Sequence, residues 1–183
     1  PPALPNGQPF SIFKVRIERE EAETLVLPER LSVIERHKEA NAVTTRTFTF
    51  SMEEMAWTIN GKQFEMEGVT EDETVKLGTT EVWEFINEQG HDNMADFMAH
   101  PIHIHGPQFQ VLERQADPSR KADWESVSAG YVDEGWKDTV LLMPGERVKV
   151  LLKFSDYEGL FVYHCHNLEH EDMGMMRNYL VRA

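Results

Sequence analysis

Apolar and polar residues alternate with a period of two along most of this chain. Arg46-Thr47-Phe48-Thr49-Phe50 puts two phenylalanines on one face, the pattern of a half-buried strand. Trp57-Thr58-Ile59 runs into Asn60-Gly61 and returns through Lys62-Gln63-Phe64, which predicts a tight hairpin. Residues 75–77 and 81–86 read as another pair of strands joined across Gly78-Thr79-Thr80. Residues 140–143 are separated by Pro144-Gly145, a type II turn pairing, from a run in which Val148, Val150, Leu152 and Phe154 share a face. Strands over 160–166 and 176–181 complete the set. Short strands at this spacing, with no long helical period between them, predict an all-β sandwich or barrel rather than βαβ units. Residues 18–25 suit a short charged helix or a solvated strand edge. Residues 92–98 and 117–131 read as connections, the second long enough to be a functional loop.

Composition narrows the function. The 183 residues correspond to one domain at ~100–200 residues each, and a chain of this size buries roughly 70 % of its unfolded surface. It needs no disulfide or metal staple to hold a core. Acidic residues number 32 against 18 basic ones, a net charge of −14, which repels phosphate backbones and argues against nucleic-acid binding. Cys165 is the only cysteine, so an intrachain disulfide and any zinc site needing two thiolates are excluded. No apolar run is long enough to span a bilayer, and no signal-peptide pattern is visible. The opening Pro1-Pro2-Ala3-Leu4-Pro5, without methionine, reads as an interdomain linker at which a longer polypeptide is cut.

Six of the eight histidines and the cysteine fall in two short windows, His100-Pro101-Ile102-His103-Ile104-His105 and His164-Cys165-His166-Asn167-Leu168-Glu169-His170. Imidazole and thiolate are ligands of copper, zinc and iron, so a metal is the first hypothesis. On a strand, successive side chains face opposite ways, so His103 and His105 project together, as do His164 and His166, while Cys165 points to the other side. Two metal centres are implied, joined by the peptide bonds on either side of Cys165. On the thiolate side, His100, Cys165 and His170 form a His₂Cys set, which with a weak axial methionine suits blue-copper electron transfer; spacing leaves Met173, Met175 and Met176 open for the axial place. His37 and His91, in polar loop-like sequence, are poor candidates for ligands.

The windows resemble the C-terminal cupredoxin domain of multicopper oxidases of the bacterial laccase and cuprous-oxidase type. The carriers are the HxxHxH pattern from His100 to His105 and the HCHxxxHxxxxM pattern from His164 to Met175, with Gly135-Trp136-Lys137-Asp138-Thr139-Val140 similar to the segment between. The resemblance implies a cupredoxin-like Greek-key β-sandwich or barrel with short helical loops over residues 46–183, and a linker and incoming strand from a preceding domain over 1–45. It implies that His100, Cys165 and His170 bind type 1 copper with Met175 axial, His103 the type 2 copper, and His105, His164 and His166 the type 3 pair. One-electron donors, phenolic or similar, would be oxidised at the type 1 site. Electrons would pass through Cys165 to a trinuclear cluster that reduces dioxygen to water. The family's cluster uses four His-x-His pairs and this chain supplies two, so its partner is expected to be an N-terminal cupredoxin domain of the same oxidase. The acid after the last type 1 histidine, Glu171, resembles a proton-delivery group. Asp138 and Asp172 are further candidates to orient ligands, and Asp96 and Met98 could line the substrate rim. The resemblance also implies a periplasmic or extracellular location.

Other readings fit less well. A structural zinc site wants four closed ligands, fewer than are present. A stand-alone blue-copper protein leaves His103, His105, His164 and His166 idle. A copper nitrite reductase also pairs cupredoxin domains, but that family's pattern lacks the second flanking histidine, here His166. Within the oxidases, a laccase-like enzyme is favoured over a cuprous or other metal-ion oxidase, because the methionine- and histidine-rich insertion of the cuprous type is missing.

Overall fold

A computed structural model describes residues 11–87 and 98–183. The chain divides into two units, Pro1–Val33 and Ile34–Ala183. In the first, the described residues form no helix or strand and leave Ile12, Phe13 and Ile17 exposed. Residues 18–25 are therefore neither of the expected elements. The stretch is too short for an autonomous helix, and Glu18, Glu20, Glu21 and Glu23 repel one another.

In the second unit the described residues form ten strands: β1 (Ala42–Glu53), β2 (Ala56–Ile59), β3 (Thr74–Lys76), β4 (Thr80–Asn87), β5 (His100–Ile104), β6 (Phe109–Ala116), β7 (Thr139–Leu142), β8 (Glu146–Lys153), β9 (Gly159–Cys165) and β10 (Met176–Arg182). They make two five-stranded sheets, ordered β2-β1-β4-β8-β6 and β3-β10-β9-β5-β7. β1 runs parallel to β4, β3 parallel to β10, and the remaining neighbours are antiparallel. The alternating apolar positions meet in one core. Phe48, Phe50, Trp83, Phe85, Val148, Val150 and Leu152 from one sheet pack with Ile102, Ile104, Val140, Tyr163, Cys165 and Tyr179 from the other. The all-β expectation is met.

Two connections differ from their sequence pattern. Residues 75–77 and 81–86 do not pair. β3 lies beside β10 in one sheet and β4 beside β1 and β8 in the other, because Leu77 N–H donates to Arg182 and Gly78 N–H to Phe154. Gly78, at φ +82°, turns the chain from one sheet to the next rather than back on itself. Likewise Asn60-Gly61 closes only a single bridge, Ile59 to Lys62. The hairpin partner of β2 is β1, through Glu54 and Met55. The chain after Gln63 leaves the sheet for β10, where Arg177 and Asn178 donate to the carbonyls of Gln63, Glu65 and Gly68. Pro144-Gly145 forms the expected turn, closed by Glu146 N–H on Met143 O at 3.0 Å.

Helices are few. α1 (Lys121–Ser128) and a 3-10 turn capped by Asp117 occupy the long connection over 117–131, and α2 (Leu168–Asp172) follows β9. Among the described residues no helix is long and apolar enough to cross a membrane.

Candidate metal centre

β5 and β9 are antiparallel neighbours with Ile102 opposite Cys165 and His103 opposite His164. Strand alternation therefore turns His100 and Cys165 into the core with Ile102 and Ile104, and His103 and His164 to the other face. α2 then folds His170 back to the inner group. Met175 N–H donates to His170 O at 2.9 Å, and Cys165 N–H to Met175 O at 3.1 Å. Gly174 reverses the chain there at φ +98°, a conformation that other residues adopt only under strain.

The inner group is a cage. Cys165 Sγ is 3.5 Å from both His100 Nδ1 and His170 Nδ1, and the two nitrogens are 3.2 Å apart. A triangle with sides of 3.5, 3.5 and 3.2 Å has a centre about 2.0 Å from every corner, the length of a metal–imidazole bond. Of the three methionines that spacing left open, Met175 is fully buried in the core, Met173 is 50 % exposed and Met176 is half-buried. Trp57 stacks on the His170 ring with centroids 3.9 Å apart and Phe50 lies over His100 at 6.1 Å. Burial, with the neighbouring His170, pushes the His100 imidazole down to about 3. Burial also pushes the Cys165 thiol up to about 12, against the pull of the Asn167 N–H. Without a cation this cage stays neutral. A bound cation supplies the charge that a thiolate requires in a dry core, and a mixed thiolate and imidazole set suits copper.

On the outer face, His105 Nε2 and His164 Nε2 are 3.2 Å apart, and His103 joins them in a second group whose donor atoms lie within 4.8 Å of one another. The ring of His166 is 5.6 Å from that of His103 and 5.3 Å from that of His164. His103 Nδ1 lies 2.8 Å from Asp138 O and 3.0 Å from Thr139 Oγ1. A carbonyl only accepts, so the proton sits on Nδ1 and Nε2 keeps its lone pair for a metal. His164 Nδ1 makes the same kind of contact with Cys165 O at 3.1 Å. Burial and the crowding of imidazoles lower the basicity of His105 and His164, partly offset by Glu171, which keeps these rings neutral and able to ligate.

The structure thus brings His100, Cys165 and His170 together inside and His103, His105 and His164 together outside, with His166 at the edge. Glu171 Oε2 is 3.4 Å from His164 Nδ1, beside the outer group. Asp138 reaches His103 through its backbone carbonyl, while its carboxylate accepts from Thr139; Asp172 is exposed. His37 belongs to neither group and packs against Trp136. Met98 is 41 % exposed two residues before His100; His91 and Asp96 lie outside the described residues. In the sequence, Trp57 and Phe50 stand out only as strand positions and Thr139 only within the 135–140 segment. Nothing in an isolated aromatic distinguishes a metal-site wall from ordinary core, although Thr139 stands within the segment that carries the resemblance.

Comparison with known proteins agrees with this geometry. Residues 37–183 match the family model described as multicopper oxidase. The laccase of Haloferax volcanii is 38 % identical over 151 residues, which cover 79 % of this chain and 23 % of that protein. The McoA multicopper oxidase of Aquifex aeolicus superposes with a TM-score of 0.66 at 34 % identity, over 85 % of this chain and 33 % of its own. A multicopper oxidase of Campylobacter jejuni, described as a metallo-oxidase, gives 0.67 at 28 % identity over 88 % and 34 %. This chain therefore spans about a quarter to a third of these relatives' length. Two sheets of the cupredoxin type, a sequence match over most of the chain and the relatives' names agree: the chain belongs to the multicopper oxidase family.

Proposed function

We propose that this chain is the C-terminal cupredoxin domain of a laccase-like oxidase, taking electrons singly from phenolic or similar donors at a type 1 centre and delivering them to a trinuclear centre. His100, Cys165 and His170, with Met175 as the fourth donor, would hold the first copper. His103 serves the type 2 ion, and His105, His164 and His166 the type 3 pair. Bound copper supplies one-electron redox chemistry inside and dioxygen reduction to water outside. One observation carries the reading: Cys165 and His164 are adjacent in the chain yet belong to opposite donor groups. The covalent path from the thiolate to an outer imidazole then runs through a single peptide bond, with a shortcut where His164 Nδ1 meets Cys165 O.

The chain's own groups do the rest. Ile102, Phe50 and Trp57 keep water from the inner cage. Asp138 O and Thr139 Oγ1 hold the His103 tautomer. Glu171, beside the outer group, is placed to hold a proton for the oxygen-reducing side. The two further His-x-His pairs come from an N-terminal cupredoxin domain of the same oxidase, and its place is the periplasm or outside the cell. A metal-ion donor is the second reading. It is favoured by the metallo-oxidase description of the Campylobacter relative and by the charge of −14, which attracts cations.

The test is Cys165→Ser. The copper-loaded chain should be intensely blue through thiolate-to-copper charge transfer, and the variant should lose that band. A variant that keeps it removes Cys165 from the site.

A further inference from the structure

The rings of the inner cage are held differently from His103. Among the described residues, no group accepts a hydrogen bond from Nε2 of His100 or His170, whereas a ligating imidazole is ordinarily aimed by such an acceptor. Aromatic rings stand in its place. Trp57 lies nearly parallel to the His170 ring, centroids 3.9 Å apart and planes inclined by 26°, and meets His100 edge-on at 5.7 Å. His170 has the greater need of support. His100 and Cys165 are set by the ladders of β5 and β9, but His170 rides on α2, a helix of five residues with little stiffness of its own.

Trp57 comes from the opposite sheet. It sits on β2 across from Met52 of β1 and is 6 % exposed. The turn that delivers it holds Glu54 and Met55, neither a glycine, at φ of 47° and 68°. Such strain persists only where the surroundings require it.

We propose that Trp57 is a positioning residue: its indole aims His170 Nδ1 at the centre of the donor triangle and closes the cage to water on that side. This rests on the Cys165 cage being the type 1 copper site and adds the side chain that sets its shape before metal arrives. A cage fixed in advance lets copper change oxidation state with little rearrangement. Loosening it and admitting water favours the more highly charged ion and lowers the potential.

The experiment compares the full copper-loaded chain with Trp57→Phe and Trp57→Leu, reading the thiolate-to-copper band per bound copper and the midpoint potential. Phenylalanine can stack and should preserve both. Leucine cannot; its band should fall by about half and its one-electron equilibrium shift at least about threefold toward the oxidised form, about 28 mV. A leucine variant with the parent's band and potential overturns the proposal, as does a phenylalanine variant that loses as much as leucine. A parent chain with no thiolate band would overturn the copper assignment and this proposal with it, so the two failures are distinct. Should the leucine variant not fold, fluorescence decides: copper(II) should quench indole emission of the parent, and that quenched component should be missing from Trp57→Phe. Emission of the parent unmoved by copper, or the same quenching in Trp57→Phe, overturns the stack.

Discussion

Met175 is tied by its backbone to two of the three donors of the inner cage, His170 through its N–H and Cys165 through its carbonyl. Replacing it by leucine conserves volume and burial, so stability should change by less than about 1.5 kcal/mol. A weak axial sulfur tunes a copper site, and its loss should raise the type 1 potential by about 59 mV or more, a tenfold shift, with copper still bound. Potentiometric titration checks this; an unchanged potential would move the axial role to Met176 or Met173. At this scale the donors were legible because two physical facts read straight off the letters: which atoms bind metals, and which way alternate strand residues face. Burial could not be read, and burial separates Met175 from its neighbours. Trp57 was invisible for a related reason, since stacking on an imidazole leaves no mark in the local pattern.

β9 carries Tyr163, His164 and Cys165 in succession, and a buried ion pair braces it. Glu73, in the 3-10 turn before β3, accepts from Arg177 of β10 at 2.8 and 2.7 Å, from Tyr163 Oη at 3.2 Å and from Thr70. Burial raises the Glu73 carboxyl, but the hydrogen bonds from Arg177 and Thr70 outweigh it and hold it below its ordinary 4.5. A carboxylate held low in the fold stabilises above its unfolded range and loses that contribution as pH falls through the folded value. Glu73→Gln leaves Arg177 buried without a counter-charge and should cost about 3 kcal/mol at pH 7. In denaturant melts the gap between parent and variant should narrow below pH 4.5; a gap independent of pH would show that the charge is irrelevant. This brace was hidden in the sequence, where 70–74 lies far from 177. So was the true partner of β3: Gly78-Thr79-Thr80 has the composition of a hairpin turn, and only long-range bonds to Phe154 and Arg182 make it a passage between sheets.

The molecule presents one donor group in its core and another on its outer face, with two His-x-His pairs on the latter. If the remaining pairs of the trinuclear centre come from another domain, these 183 residues should bind copper at the cage yet consume no dioxygen with a phenolic donor in an oxygen-electrode assay. Sustained uptake by the verified monomer would show that the outer group is complete as it stands.

The register between β5 and β9 has one more effect. Since Ile102 faces Cys165 and His103 faces His164 across a single ladder, a slip by one residue would exchange inside for outside for every ligand on the slipped strand. An insertion or deletion between the donors of either strand would thus turn some of them to the wrong face and disturb both donor groups together. Substitutions, by contrast, can alter one donor group and leave the other, so the shared register constrains strand length rather than residue identity.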